Sequence, residues 1–90
     1  MLEGTVKVIN PLGLHARAAA QLVRLAGRFK SRITIRRLDS TAFADAKSML
    51  SVLTLAASLN TILELNVTGD DETAAFGAIC ELFSCGFGET

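Results

Sequence analysis

Residues 61–68, TILELNVT, alternate apolar and polar side chains without a break. A period of two puts Leu63, Leu65 and Val67 on one face of a strand and Glu64, Asn66 and Thr68 on the other. One dry face and one wet face suit an antiparallel sheet, whereas parallel sheets are covered on both sides. TVKVI alternates in the same way, with Val6 and Val8 opposite Thr5 and Lys7. RITIRR does so again and is rich in β-branched residues, and TAFA, after the turn LDST, is expected to form a short third strand.

Between these strands the period changes. Ala19, Leu22, Ala26 and Phe29 recur at spacings of three and four, which predicts an amphipathic helix from Ala16 to Phe29. Arg17, Gln21, Arg24 and Arg28 occupy the opposite face as a basic stripe. Residues 48–57, SMLSVLTLAA, are too apolar all round for a surface helix, so they predict a short one, part in the core and part an exposed apolar patch. Asp70 and Asp71 offer an N-cap to a last helix whose buried face is Ala75, Ile79 and Leu82, flanked by Phe76 and Phe83. The final GFGET is expected to fray. The order β-α-β-β-α-β-α predicts an α+β fold, an antiparallel sheet with helices on one face.

Ninety residues make one domain, 1–90. Half of them are apolar, enough for a continuous though thin core. No apolar run approaches the ~20 residues that span a bilayer, and MLEGTVKVIN lacks the pattern of a signal peptide. The expectation is a soluble, cytoplasmic monomer without membrane insertion. Cys80 and Cys85 are the only cysteines, and five helical positions turn roughly 500°, which points them apart and disfavours a disulfide. One histidine and two cysteines do not supply a zinc site, so no metal or other cofactor is expected.

Formal net charge is zero, but its halves differ. Nine bases against three acids leave +6 in residues 1–47, while six acids and no base leave −6 in residues 48–90. Such polarity favours docking to an acidic partner. Nucleic acid is disfavoured, because there is no Trp or Tyr to stack on bases and no run of Lys and Arg.

The one histidine stands in PLGLHARAAAQ, where a loop becomes a helix. His15 therefore lies near backbone N–H groups without intrahelical partners and near the positive end of the helix dipole. That field favours neutral imidazole, leaving a nitrogen lone pair, and the same N–H groups suit a bound phosphoryl group. Arg17 adds a guanidinium able to pair with two phosphate oxygens. By residue type alone, a histidine here is more often a cap or a surface residue than a nucleophile. No triad or carboxylate pair is arranged for hydrolysis.

LGLHARAAAQLV resembles the active-site signature of the histidine-containing phosphocarrier family, HPr, of the bacterial phosphotransferase system. AKSMLSVLTLAA is similar to the family's second motif, and NVTGDDETAAFGAICELF to its last strand and helix, so the resemblance covers nearly the whole chain. It implies an open-faced β-sandwich, a four-stranded antiparallel sheet with three helices on one side. It implies that His15 takes a phosphoryl group on Nδ1 from phosphorylated Enzyme I and passes it to a histidine of a IIA protein. Such a chain is a transfer intermediate and not a turnover enzyme. By the same resemblance Arg17 stabilises the phosphate, and Ser48 is a regulatory serine addressed in some lineages by an HPr kinase/phosphorylase. Met49 and Leu50 match exposed apolar partner contacts, while Arg24 and Arg28 continue the basic stripe expected to meet acidic partner surfaces. The alternative is a regulatory binding module controlled through Ser48. Ala16 and Ala18 stand where many sugar-branch members have Thr or Ser and Pro, and HARAAA is more like the nitrogen-branch carriers, leaving both branches open. RRLDSTAFAD is slightly longer than in the most familiar members, which concerns a hairpin and not the site.

Overall fold

The computed structural model describes residues 1–89. Strands β1 (Leu2–Lys7), β2 (Arg32–Arg37), β3 (Phe43–Asp45) and β4 (Ile62–Thr68) form one sheet in the order β1-β4-β2-β3. Every neighbouring pair is antiparallel. Helices α1 (Ala16–Ala26), α2 (Met49–Thr54) and α3 (Glu72–Ser84) cover one face, and a 3₁₀ turn spans Gly86–Gly88. The expected element order and fold class are those observed. No helix of the described residues is long and apolar enough to cross a membrane.

The register follows from the alternation. Val6 pairs with Leu63, Ile35 with Leu65 and Ile33 with Val67, so these side chains share the inner face and are buried there. Glu64, Asn66 and Thr34 lie on the other face, where Arg36 donates to Glu64 at 3.0 Å. A one-residue slip would move the whole apolar set of β4 into water, so the register is strongly specified.

The end of α1, the capping of α3 and the buried stripe of α3 differ from those expected. Helix α1 ends at Ala26, with Gly27 as its C-cap, and Phe29 reaches the core from a tightened turn in which Phe29 N–H donates to Ala26 O at 3.2 Å. Asp71 stands at the N-cap of α3, but its carboxylate does not cap the helix. It accepts instead from the backbone N–H groups of Lys30 and Ser31, at 2.8 and 2.9 Å, and from the Ser31 hydroxyl. Those bonds, the Ser31 hydroxyl first, hold its carboxyl below the usual range. The buried stripe of α3 is Ala75, Ile79 and Phe83, spaced by four, and Leu82 is half-buried beside it.

The C-terminal segment does not fray as far as it is described; Thr90 lies outside the described residues. Phe87 is buried and meets Phe83 edge-to-face, with ring centroids 5.0 Å apart. An aromatic ring removed from water in this way contributes burial and a favourable ring geometry together, enough to hold a short tail.

Candidate active site

The loop before α1 is built by backbone contacts. Gly13 N–H donates to Asn10 O at 3.1 Å, closing a turn, and Leu14 N–H donates to Ala57 O at 2.8 Å. Gly13 has a φ of +67°, and a Cβ there would lie 2.5 Å from Ala57 O. Glycine is therefore required both by conformation and by space. Leu14 is buried, which anchors the loop and delivers the next residue, His15, to the helix start.

His15 is the N-cap of α1, with extended backbone, and its carbonyl accepts from Ala19 N–H at 2.8 Å. Its Nδ1 accepts from Arg17 N–H at 3.3 Å. Its Nε2 pairs with a carboxylate oxygen of Glu89, 74 residues away in the chain. Since a carboxylate only accepts, this contact assigns the ring proton to Nε2 and leaves the lone pair on Nδ1. That lone pair faces the backbone N–H groups of the helix start, with which a phosphoryl group on Nδ1 would bond.

The other oxygen of Glu89 accepts from Asn10 Nδ2 at 3.0 Å, and Asn10 Nδ2 also donates to Gly13 O at 2.8 Å. These bonds, Asn10 first and His15 second, hold the Glu89 carboxyl below the usual range, so it is ionised at neutral pH. The His15 side chain is 27 % exposed and opens into a shallow cleft of roughly 750 Å³. Pro11, Leu12, Arg17, Gln21, Phe87 and Glu89 are among the residues that line the cleft with it. Arg17 is exposed at the cleft, where its guanidinium is free to pair with an anion. No cluster of His, Cys, Asp and Glu able to hold a metal occurs among the described residues.

The remaining expected site residues are distributed more widely. Arg24 is exposed on α1 and Arg28 in the turn after it, but Gln21 leaves the stripe to donate to Phe87 O at 3.3 Å. Ser48 is the N-cap of α2, its hydroxyl accepting from Ser51 N–H at 3.3 Å. Leu50 is 75 % exposed, as expected, whereas Met49 is half-buried and packs on the core. Neither Ser48, Met49 nor Leu50 lines the cleft at His15. Glu89 and Asn10 were not among the expected site residues. The one local sign of them is Phe87, a large apolar ring in a tail that would otherwise be read as solvent-exposed.

An imidazole at a helix start with a free Nδ1 lone pair, a nearby arginine and an open cleft are the features of an anion-accepting site. The family described as PTS HPr component phosphorylation site matches residues 2–84. The phosphocarrier protein HPr of Treponema pallidum is 45 % identical over 89 residues, covering 99 % of each chain. That of Neisseria meningitidis is 38 % identical over 89 residues, covering 99 % of this chain and 98 % of its own. The crystal structure of HPr-C-His from Thermoanaerobacter tengcongensis superposes with a TM-score of 0.92 at 36 % identity, covering 100 % of this chain and 99 % of that one. This chain belongs to the HPr family, the phosphocarriers of the phosphotransferase system.

Proposed function

We propose that residues 1–90 act as a single cytoplasmic relay domain in which His15 accepts a phosphoryl group from phosphorylated Enzyme I. The group then passes to a histidine of a IIA protein. In the first step the Nδ1 lone pair forms a bond to phosphorus as the bond to the donor nitrogen breaks, its electron pair remaining on the donor. In the second step His15 is the donor and takes its pair back. The observation that carries this reading is the Nδ1 lone pair, aimed at the start of α1 while Nε2 is engaged elsewhere. Arg17 would pair with phosphoryl oxygens as they arrive. Incubation with phosphoenolpyruvate and Enzyme I should place one acid-labile, base-stable phosphate on the chain, located at His15 by peptide mapping. Phosphate on another residue would reject the assignment. The HARAAA form of the site favours a nitrogen-branch acceptor, and competition between purified nitrogen-type and sugar-type IIA proteins decides between them.

Arg17 and Arg24 on α1, with Arg28 in the turn after it, form an exposed basic stripe toward acidic partners. Exposed charges are screened beyond ~8 Å at physiological salt, so the stripe acts chiefly on the association rate. The double variant Arg24→Gln, Arg28→Gln should associate with Enzyme I several-fold more slowly at low salt and like the wild type at high salt. An association rate of the wild-type chain that ignores salt would remove the stripe from the mechanism.

A second reading, a binding module switched at Ser48 by a kinase of the HPr kinase/phosphorylase type, is favoured by the cap that this hydroxyl forms beside exposed Leu50. A phosphate there meets the helix end favourably but sets about −2 charge next to an apolar contact surface. Ser48→Asp should slow phosphorylation of His15 several-fold. Asp is as good an N-cap as Ser, so unfolding free energy should change by less than about 0.5 kcal/mol. Transfer at the wild-type rate would reject Ser48 as a switch on this path, and a large loss of stability would assign the residue to capping alone.

A further inference from the structure

The C-terminal segment returns to the active site by a strained path. Gly86, Phe87 and Gly88 follow one another with φ of 63°, 56° and 74°. A non-glycine residue in this left-handed region costs free energy, and the burial of Phe87 against Phe83 offsets it. Gln21 holds the Phe87 carbonyl from α1. The chain reverses over these three residues and brings Glu89, 13 % exposed, onto His15.

Asn10 fixes the carboxylate from the other side. Its side chain is fully buried, and both neighbours of its nitrogen, Gly13 O and Glu89 Oε1, can only accept, which assigns the amide orientation. Its Oδ1 is buried without a partner among the described residues. An amide buried at that cost contributes through its two donors, one to the active-site turn and one to Glu89.

On the reading of His15 as the phosphoryl acceptor, we propose that Glu89 is a positioning residue for transfer. It clamps the proton on Nε2 of His15 through both steps, and Asn10 holds it in register. Before transfer the ring is neutral, with its proton on Nε2 and its lone pair on Nδ1. Formation of the P–N bond turns the ring into a phosphoimidazolium, whose charge the facing carboxylate neutralises. When the group moves on, the P–N bond breaks, the pair returns to Nδ1, and the ring is again neutral with the same proton on Nε2. No proton enters or leaves in either direction. Without the carboxylate, the phosphorylated ring can lose the Nε2 proton to water. The leaving group would then be an imidazolide, a much poorer one than imidazole. The groups facing Glu89 are Asn10, His15, which donates from Nε2, and the charged Arg17, and all favour the ionised carboxylate.

The test compares the wild-type chain with Glu89→Ala and Glu89→Gln. Since the Arg17 N–H bond to Nδ1 by itself favours the Nε2–H tautomer, the readout is the hydrogen-bonded Nε2 proton and its slow exchange with water, seen by proton and nitrogen-15 NMR of the unphosphorylated imidazole, while rapid-quench kinetics report transfer to a IIA protein. The wild type should show a proton held on Nε2, and Glu89→Ala should lose that signature while melting as a folded domain. Glu89→Gln keeps an acceptor and should restore the signature. Both variants should donate the phosphoryl group about tenfold more slowly than the wild type, since neither supplies the charge. The deficit should widen as pH rises above neutrality, where the unclamped proton is lost. Wild-type transfer by Glu89→Gln, or unchanged ring signals in Glu89→Ala, would overturn the proposal. Failure of the wild type to be labelled at His15 would instead reject the carrier reading, and with it this one.

Discussion

His15→Ala is expected to take up no phosphate from phosphoenolpyruvate and Enzyme I, while folding as the wild type does. The loss should be complete, because no other described side chain offers a lone pair at the start of α1 beside Arg17. Gln21, also in the cleft, is not nucleophilic, and Glu89 would form an acyl phosphate, which unlike a phosphohistidine is labile in base. Stability should change little. His15 does cap α1 through Nδ1, but the bond is long at 3.3 Å, and loss of an N-cap costs about 0.5–2 kcal/mol. Radiolabel uptake and thermal denaturation of the same preparations check both statements. Equal labelling of the variant would sink the assignment of His15.

Gly13→Ala should carry the second largest effect, on the site and on stability together. The added Cβ would sit 2.5 Å from Ala57 O and 2.8 Å from Ser58 Cα, and both are backbone atoms that cannot rotate away. The loop must therefore lift, at the expense of the Leu14 N–H bond to Ala57 O and of the buried Leu14 side chain. Left-handed strain at a non-glycine residue adds about 1–3 kcal/mol. For a domain of this size that alone lowers the melting temperature by roughly 5–20 °C. His15 follows Leu14 directly, so the ring moves relative to Arg17 and Glu89. A displacement near 1 Å at a transfer site can cost about 10²-fold, and transfer should fall at least about tenfold. A variant that melts lower yet transfers normally would show that the loop supports the fold but does not aim the histidine.

The sequence by itself determined the elements whose information is local. The alternation of TILELNVT specified β4, its buried face and, through that face, its register. The change of period after Pro11 specified the start of α1 at Ala16 and so the placing of His15 at a helix N-terminus. Ser48 before an apolar run specified the cap of α2. Each of these depends on residues within about one helical turn or a few strand positions, which is the range over which periodicity carries information.

Tertiary structure decided what depends on partners far apart in the chain. Asp71 has the sequence of a helix cap, but bonds across the fold to Lys30 and Ser31 take its carboxylate, because three donors there outcompete its own helix end. Gln21 belongs to a basic stripe by spacing but turns to the tail carbonyl it meets in the folded chain. Met49 belongs to an exposed contact patch by the family resemblance but is half-buried and packs on the core. The largest case is GFGE. Glycine on both sides of an aromatic reads as a frayed end, because nothing local holds it. In the folded domain Phe83 covers Phe87, and the resulting reversal sets Glu89 between Asn10 and His15. The histidine at a helix start was therefore legible in eleven consecutive residues, while its carboxylate partner is met only when the tail folds back onto the loop before α1.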